Sequence, residues 1–330
     1  MTSAPISPAA DGRSRAVDPP RLPALGFGTA GIARPSVAPG AAGDTLRQAL
    51  ECGLRYFDTA PMYGAGEAEL RLGRFLAGLP RGEYVLSSKV GRLVRPAESG
   101  AGEREWVFDF SADAVRRSVE ESLRRLGTDH VDLLYLHDPD DHWRQAIEEA
   151  WPALADLRDQ GVVRAVGVGM NQAAMLTEFV THASPDLVLM AGQYSLLDSA
   201  ALDALLPACR ERGVAVVVAQ ALHGGLIDGV PPTTFHYRPV DAATAARAAA
   251  IAAVCASHGV PTAAAALRFP LGHPAVSTVL TGPETAAQLR QNVEWAAWPI
   301  PDGLWSDLKA AGLLRADAPV PAADVPGAGR

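Results

Sequence analysis

The sequence predicts a single-domain (β/α)8 TIM barrel on three observations. Eight short apolar runs alternate in order with eight longer amphipathic runs over about 270 residues, the size and rhythm of such a barrel. No shift in composition divides the 330 residues into two domains, and a chain of that length can fill one large core. Four ionisable residues of different types, Asp58, Tyr63, Lys89 and His137, stand at or just beyond the ends of successive apolar runs. In a parallel α/β protein those carboxyl ends converge on one face, where ligands bind.

The elements follow in order. Strands are expected at 24–28, 55–58, 85–89, 131–137, 163–169, 187–192, 214–219 and 276–281, where short, largely aliphatic and aromatic runs are bounded by turn residues. Helices are expected at 43–52, 67–79, 111–126, 144–159, 172–182, 202–212, 241–257 and 284–295. Ser111 suits an N-cap with Asp113 in the first turn, and Gly127, Gly161, Gly213 and Gly259 stand where C-terminal caps belong. Two connections, 91–110 and 220–240, read as long and irregular, the kind of loop that serves as a lid or binding segment. Residues 1–20 are expected as a loose N-terminal tail, 21–315 as the barrel, and 316–330 as a loose C-terminal tail rich in Ala, Pro and Gly.

Composition excludes several roles. The net charge is −8 and no basic run stands out, so nucleic acid and anionic membrane are poor partners. No stretch of about 18 apolar residues suggests a membrane span, and the N-terminus lacks the order of a signal peptide. Cys52, Cys209 and Cys255 show no paired spacing and read as reduced thiols of a cytoplasmic protein. A small-molecule enzyme, as a monomer or small homo-oligomer, is the expectation. No close His/carboxylate cluster suggests a metal.

One motif misleads. Gly26-Phe27-Gly28-Thr29-Ala30-Gly31 fits the glycine pattern of a dinucleotide-binding turn, which needs its third glycine to open a helix. Here Pro35, Pro39 and Gly40 follow within ten residues and forbid a regular helix. A Rossmann site is rejected.

Lys89 carries the chemistry. It is one of two lysines, with Lys309, in a chain whose other 27 cations are arginine, and it ends the run Val85-Leu86-Ser87-Ser88. A compact ammonium beside a phenol favours the phenolate, whereas burial opposes charge; the balance can bring a tyrosine into working range. A buried carboxylate such as Asp58 holds the lysine, and a histidine across the site orients a substrate oxygen. Tyr, Lys, Asp and His without a metal describe proton transfer at a carbonyl or alcohol oxygen, the companion of hydride transfer with a nicotinamide cofactor.

Asp58-Thr59-Ala60-Pro61-Met62-Tyr63-Gly64, Ser87-Ser88-Lys89 and Leu134-Tyr135-Leu136-His137 resemble the catalytic tetrad segments of the aldo-keto reductase superfamily, and the resemblance runs from about Leu22 to Trp295. It implies a barrel with the cofactor across its carboxyl-end mouth. By that resemblance Tyr63 moves the proton, Lys89 tunes it, Asp58 holds Lys89, and His137 orients the substrate. Gly28, Thr29 and Asp58 are then expected near the cofactor. Gln193 matches the glutamine that binds the nicotinamide carboxamide. Asn171 is expected to share that contact, although the usual preceding serine is Met170. After the seventh strand the usual stacking aromatic is replaced by Gln220, followed by Ala221, Leu222 and Gly224, all expected at the cofactor. That loop, with His137-Asp138-Pro139-Asp140-Asp141, is similar to the branch of aldose 1-dehydrogenases (L-fucose, L-galactose and D-threo-aldose types) and pyridoxal 4-dehydrogenase.

The expected reaction is oxidation of an aldose C1 hydroxyl to a lactone. A carbonyl or pyridoxal-type reductase or dehydrogenase, and a cofactor-binding regulatory subunit, are the alternatives. Trp106 and Phe108 are expected to line the substrate pocket with Tyr63, His137 and Asp138; His223 and His236 lie in the other long loop. Asp138 and Asp140 suit either sugar hydroxyls or a helix cap. The cofactor is expected to be NAD in preference to NADP. The family positions that clamp a 2′-phosphate fall on Gly282, Pro283 and Gln288, counted back from Asn292, and none is cationic. Glu284 repels a phosphate, and Arg290 should face elsewhere on its helix.

Overall fold

The computed structural model describes residues 21–98, 103–228, 234–235 and 238–322. Eight parallel strands close into a barrel. In chain order the strands are β1 (Leu25–Gly28), β2 (Tyr56–Asp58), β3 (Val85–Val90), β4 (Arg92–Pro96), β5 (Arg104–Phe108), β6 (Leu133–His137), β7 (Ala165–Met170), β8 (Leu187–Ala191), β9 (Ala215–Ala219), β10 (Thr234–Phe235), β11 (Arg238–Pro239) and β12 (Val276–Thr281). Around the barrel the order is β1-β12-β9-β8-β7-β6-β3-β2, and β4–β5 and β10–β11 form separate antiparallel pairs. This is the expected (β/α)8 architecture.

The outer helices are α1 (Pro39–Glu51), α2 (Glu67–Leu76), α3 (Ala112–Leu126), α4 (Trp143–Gln145), α5 (Trp151–Asp159), α6 (Ala173–His182), α7 (Leu205–Arg212), α8 (Ala242–Ser257), α9 (Thr262–Arg268), α10 (Ala286–Ala296) and α11 (Asp302–Ala310). Ser111 caps α3 by accepting the Ala114 N–H, and Gly127 follows with φ 65°. The single helix expected at 144–159 is interrupted by a π segment, Ala146–Ala150. Pro152 has no N–H to give back to residue 148, and the extra residue per turn absorbs that loss.

Two tyrosines organise the barrel interior. Tyr56 and Tyr135 are fully buried among Leu133, Leu187, Leu189, Val217 and Leu280. Small residues make room for them. A Cβ on Gly26 would stand 2.7 Å from the Tyr56 ring, and one on Gly167 would stand 2.1 Å from the Leu187 carbonyl oxygen and 3.1 Å from the Tyr135 ring. At Gly31 a Cβ would meet the Gly282 carbonyl oxygen at 2.6 Å. Gly26 and Gly31 of the misleading motif thus serve close packing where the first and last strands meet; Pro39 and Gly40, expected to forbid a helix, instead open α1, where a proline at the first turn loses no hydrogen bond.

Three expectations change. The connection at 91–110 is not irregular: β4 and β5 pair from Arg92–Phe108 to Pro96–Arg104, and the hairpin stands at the barrel mouth. The connection at 220–240 carries short 3₁₀ turns within His223–Asp228, broken by a kink at Gly224 (φ 63°) and Gly225 (φ 103°), and the small β10–β11 pair. The loose C-terminal tail expected from 316 is packed at its start: Ala318 is buried, its carbonyl accepts Lys309 Nζ at 2.8 Å, and Val320 packs against the core. The N-terminal tail at 1–20, residues 323–330 and His236 lie outside the described residues.

Candidate active site

The site forms where β2, β3 and β6 end at the same mouth. Side chains two apart on a strand share a face, and at these ends that face is the barrel interior. Asp58 therefore lies above Tyr56, Lys89 above Ser87 and His137 above Tyr135, with Tyr63 reaching back from the turn after β2.

Lys89 joins the expected residues. Its ammonium donates to Asp58 Oδ2 at 2.6 Å, to the Thr59 carbonyl at 3.0 Å and to the Tyr63 hydroxyl at 3.2 Å. Lys89 and Asp58 are both buried. Burial opposes the lysine charge, but the Asp58 carboxylate and the Tyr63 contact outweigh it and lift the ammonium above the ordinary lysine range. The His137 ring stands edge-on to Tyr63, with centroids 5.9 Å apart. Burial first, then the cations of Lys89 and Arg92, hold His137 well below the usual histidine value, so it is neutral at neutral pH. A neutral imidazole and a phenol face the same space, ready to hold one substrate oxygen between them.

The phenol departs from expectation in one respect. Burial raises the Tyr63 pKa more than Lys89 lowers it, with Asp58 and Asp138 adding to the rise. Tyr63 is therefore protonated at neutral pH, and Lys89 moderates the rise without reversing it.

The sequence reading missed what lies beneath. Ser87 Oγ donates to Asp58 Oδ1 at 2.7 Å. The Tyr56 hydroxyl lies 3.1 Å from Ser87 Oγ and 3.3 Å from the Tyr135 hydroxyl. An ionised carboxylate only accepts, so Ser87 spends its one proton on Asp58 and Tyr56 must donate to Ser87. Three buried hydroxyls thus point toward Asp58. Burial, ahead of every other cause, raises both tyrosines and keeps them protonated. The i, i+2 spacing from Asp58, Lys89 and His137 is the signal that would have found them. Glu69 was missed too: fully buried, it accepts from Ser88 Oγ at 2.7 Å and Arg125 Nε at 2.6 Å, fixing β3 to its outer helices.

The cofactor residues divide. Asn171 directly follows β7, and Gln193 follows β8 with its Oε1 fixed by the Ala173 N–H at 2.7 Å. Gln220 lies exposed after β9 with φ 60°, and Gly224 is exposed as well. Gly28 and Gly282 flank β1 and β12, where an added Cβ would meet nothing closer than 3.6 Å. Three side chains are occupied otherwise. Thr29 is buried, its hydroxyl donates to Thr59 Oγ1 at 2.9 Å and its amide donates to the Asp58 carbonyl at 2.9 Å. Gln288 completes a capping box with Thr285 at the start of α10. Asn292 Nδ2 donates to Thr281 Oγ1 at 2.6 Å. Ala221 is buried and Leu222 packs on the core, so they support the loop from below. Carboxamides at two strand ends, open glycines and a capped helix start suit a nicotinamide dinucleotide, though with fewer side-chain contacts than expected.

Arg290 turns away, donating to Gln48 Oε1 at 2.6 Å, but it is not the sole cation nearby. Arg34 pairs with Glu284 at 2.7 Å.

The hairpin covers the other side. Trp106 and Phe108 meet edge to face at 5.3 Å, and Phe108, 41% exposed, also stacks on Phe110 and meets His142 at a tilt. The Arg92 guanidinium lies 4.5 Å from the Trp106 ring centre and 4.7 Å from that of Phe108. It donates to Asp138 Oδ2 at 2.5 Å. Asp140 accepts from Gln172 at 3.0 Å, so neither aspartate caps a helix. His223 is turned inward and pairs with Ser195 Oγ at 2.7 Å, tying the loop after β8 to the loop after β9. Among the described residues no group of three or more His, Cys, Asp or Glu is placed to hold a metal.

A family model described as the Aldo/keto reductase family matches residues 24–312. D-threo-aldose 1-dehydrogenase of a Pseudomonas species is 41% identical over 314 residues, 89% of this chain and 95% of that protein. Pyridoxal 4-dehydrogenase of Microbacterium luteolum is 37% identical, covering 88% of this chain and 94% of its own length. Among solved structures, the holo form of an aldo-keto reductase from Bacillus halodurans superposes with a TM-score of 0.72 at 28% identity, over 89% of this chain and 93% of that one.

Proposed function

Because the chain belongs to the aldo/keto reductase family, and is thereby an oxidoreductase that works with a nicotinamide cofactor, we propose that it oxidises the C1 hydroxyl of an aldose to a lactone with NAD. The observation that carries this reading is the contact of Lys89 with both Asp58 and the Tyr63 hydroxyl, with neutral His137 across the same space.

In the proposed reaction the sugar's C1 oxygen sits between the Tyr63 hydroxyl and the His137 ring. Tyr63, as phenolate, takes the proton from the C1 hydroxyl, and the C1–H leaves as hydride, so that C1 becomes the lactone carbonyl. Bound nicotinamide supplies the two-electron acceptor for that hydride. Lys89 stabilises the phenolate and Asp58 keeps Lys89 in place. In the reverse direction protonated Tyr63 gives its proton to a carbonyl oxygen. His137 donates a hydrogen bond that orients the oxygen in both directions. Asn171 and Gln193 are the residues proposed to hold the nicotinamide carboxamide, with the backbone at Gly28, Gly282 and Gly224 along the rest of the cofactor.

The aldose is favoured over other alcohols by the hairpin. Trp106 and the exposed Phe108 offer flat apolar faces on which a sugar's C–H face can stack. The D-threo-aldose 1-dehydrogenase relative, 41% identical, supports the same substrate class. The test is a panel of aldoses and pyridoxal offered with NAD+ and with NADP+, followed by reduced-nicotinamide absorbance. Turnover of D-threo-configured aldoses with NAD+ is expected; turnover of pyridoxal alone would move the reading to the chemistry of the pyridoxal 4-dehydrogenase relative.

A further inference from the structure

Asp138 is built into an unusual position. It directly follows His137, and its backbone takes φ 45°, a left-handed conformation that a non-glycine residue adopts only at some cost. Its amide donates to the Gly169 carbonyl at 2.9 Å, which fixes the backbone there. The carboxylate is then gripped from the hairpin. Arg92 donates to Oδ2 at 2.5 Å, and the guanidinium lies against both the Trp106 and Phe108 rings while its other end donates to Met62 Sδ. Asp138 Oδ2 lies 3.7 Å from His137 Nε2. Among the described residues no donor reaches Oδ1, and the side chain is one-fifth exposed at the mouth.

A pair that only braced the hairpin against the barrel would not need its carboxylate beside the histidine, nor a strained backbone to place it there. A salt bridge at this depth carries a desolvation cost that an apolar pair would avoid. The site also gives apolar surface on one side and a fixed, charged acceptor on the other, the combination that recognises a hydroxylated carbon chain.

We propose that Asp138, fixed by Arg92, selects substrates that carry a hydroxyl on the carbon next to the reacting one. The inference rests on the aldose reading above and adds the substrate feature that the site reads. With the C1 oxygen between Tyr63 and His137, the neighbouring C2 carbon is the next to pass Asp138, and its hydroxyl donates to Oδ1. Arg92 is a positioning residue: it keeps the carboxylate aimed. A substrate without that hydroxyl leaves a largely desolvated charged acceptor unpaired, a loss that discriminates against a close analogue.

The experiment compares D-arabinose with 2-deoxy-D-ribose, which is D-arabinose lacking only the C2 hydroxyl, using the full chain with NAD+. The readout is the ratio of kcat/KM for the two pentoses in the wild type, Asp138→Asn and Arg92→Lys. Asparagine tolerates the left-handed backbone and preserves shape, while removing the charge. Lysine keeps the charge but lacks the planar fork that reaches Asp138, Met62 and both rings at once. The wild type is expected to prefer D-arabinose by about ten- to hundred-fold, the range of one charged hydrogen bond. In both variants the ratio should fall about tenfold, mainly through KM for D-arabinose. A ratio unchanged in both variants, with D-arabinose oxidised, overturns the role of Asp138 and leaves the aldose reading standing. A wild type that oxidises neither these pentoses nor any other aldose of the panel overturns both.

Discussion

Ser87 Oγ donates to Asp58 Oδ1 at 2.7 Å, so the carboxylate that holds Lys89 is itself held on its second oxygen. Tyr56 and Tyr135 continue the line into the barrel. Ser87→Ala leaves a buried carboxylate oxygen without its donor. The expected loss is about 1.5–3 kcal/mol of stability, the value of a hydrogen bond to a charged group. Tyr56→Phe removes a neutral link one step further away and should cost about 0.5–1.5 kcal/mol. Urea unfolding of the two variants checks the order; equal losses would show that the line does not converge on Asp58.

Tyr63→Phe should lower kcat by about 10²–10⁴-fold while leaving cofactor titration by fluorescence near the wild-type curve. The pH dependence follows from the raised phenol. Oxidation needs the phenolate, so its rate should climb with pH on the alkaline side; reduction needs the phenol and should hold at neutral pH. Lys89→Arg, which cannot pack its planar head beside Tyr63 in the same way, should move the rising limb to higher pH. An unchanged limb in an active Lys89→Arg enzyme would make Lys89 purely structural.

His137 links pH to stability. Its folded-state pKa lies well below the unfolded value near 6.5, because burial and two cations disfavour the charged ring. Below about pH 6.5 the unfolded chain therefore binds a proton that the folded protein refuses, and stability falls as pH falls, by up to about 1.4 kcal/mol per pH unit. His137→Asn should flatten the decline in unfolding free energy between about pH 6.5 and 5. A slope identical to wild type would show that His137 takes up its proton without unfolding.

The proposed preference for NAD is expected to turn on Glu284 and Arg34, which pair at 2.7 Å at the start of the α10 segment. Their attraction is modest in water, but the carboxylate also repels a 2′-phosphate. The wild type is expected to favour NAD+ over NADP+ by at least about tenfold in kcat/KM. Glu284→Gln removes the repulsion and releases Arg34, so the preference should narrow, chiefly through KM for NADP+. A preference unaffected by Glu284→Gln would place the discrimination elsewhere.

The barrel was legible because its signal is repetitive: each strand is a short apolar run and each end is marked by turn residues, so boundaries fell within a few residues. Asp58, Tyr63, Lys89 and His137 were legible because four unlike ionisable residues at successive strand ends are hard to produce by packing alone. The hairpin of β4 and β5 was not, since a two-stranded ribbon outside the barrel carries charged residues such as Arg92, Arg95, Arg104 and Glu105 among its apolar ones and includes Pro96. With the hairpin went Arg92, whose partner Asp138 lies 46 residues away. Ser87 and Tyr56 were hidden in plain apolar runs, although their spacing of two from Lys89 and Asp58 places them on the same face. Arg34 escaped because its pairing with Glu284 depends on how the first and last strands meet.

The most direct measurement follows the C1 hydrogen. An aldose deuterated at C1 is oxidised with NAD+, the reduced cofactor is analysed for deuterium, and the sugar product is identified. The account predicts a slower reaction than with the protiated sugar, one deuterium on the nicotinamide per turnover, and an aldonolactone as the first product. A reduced cofactor without deuterium, or a product oxidised at a carbon other than C1, would contradict it.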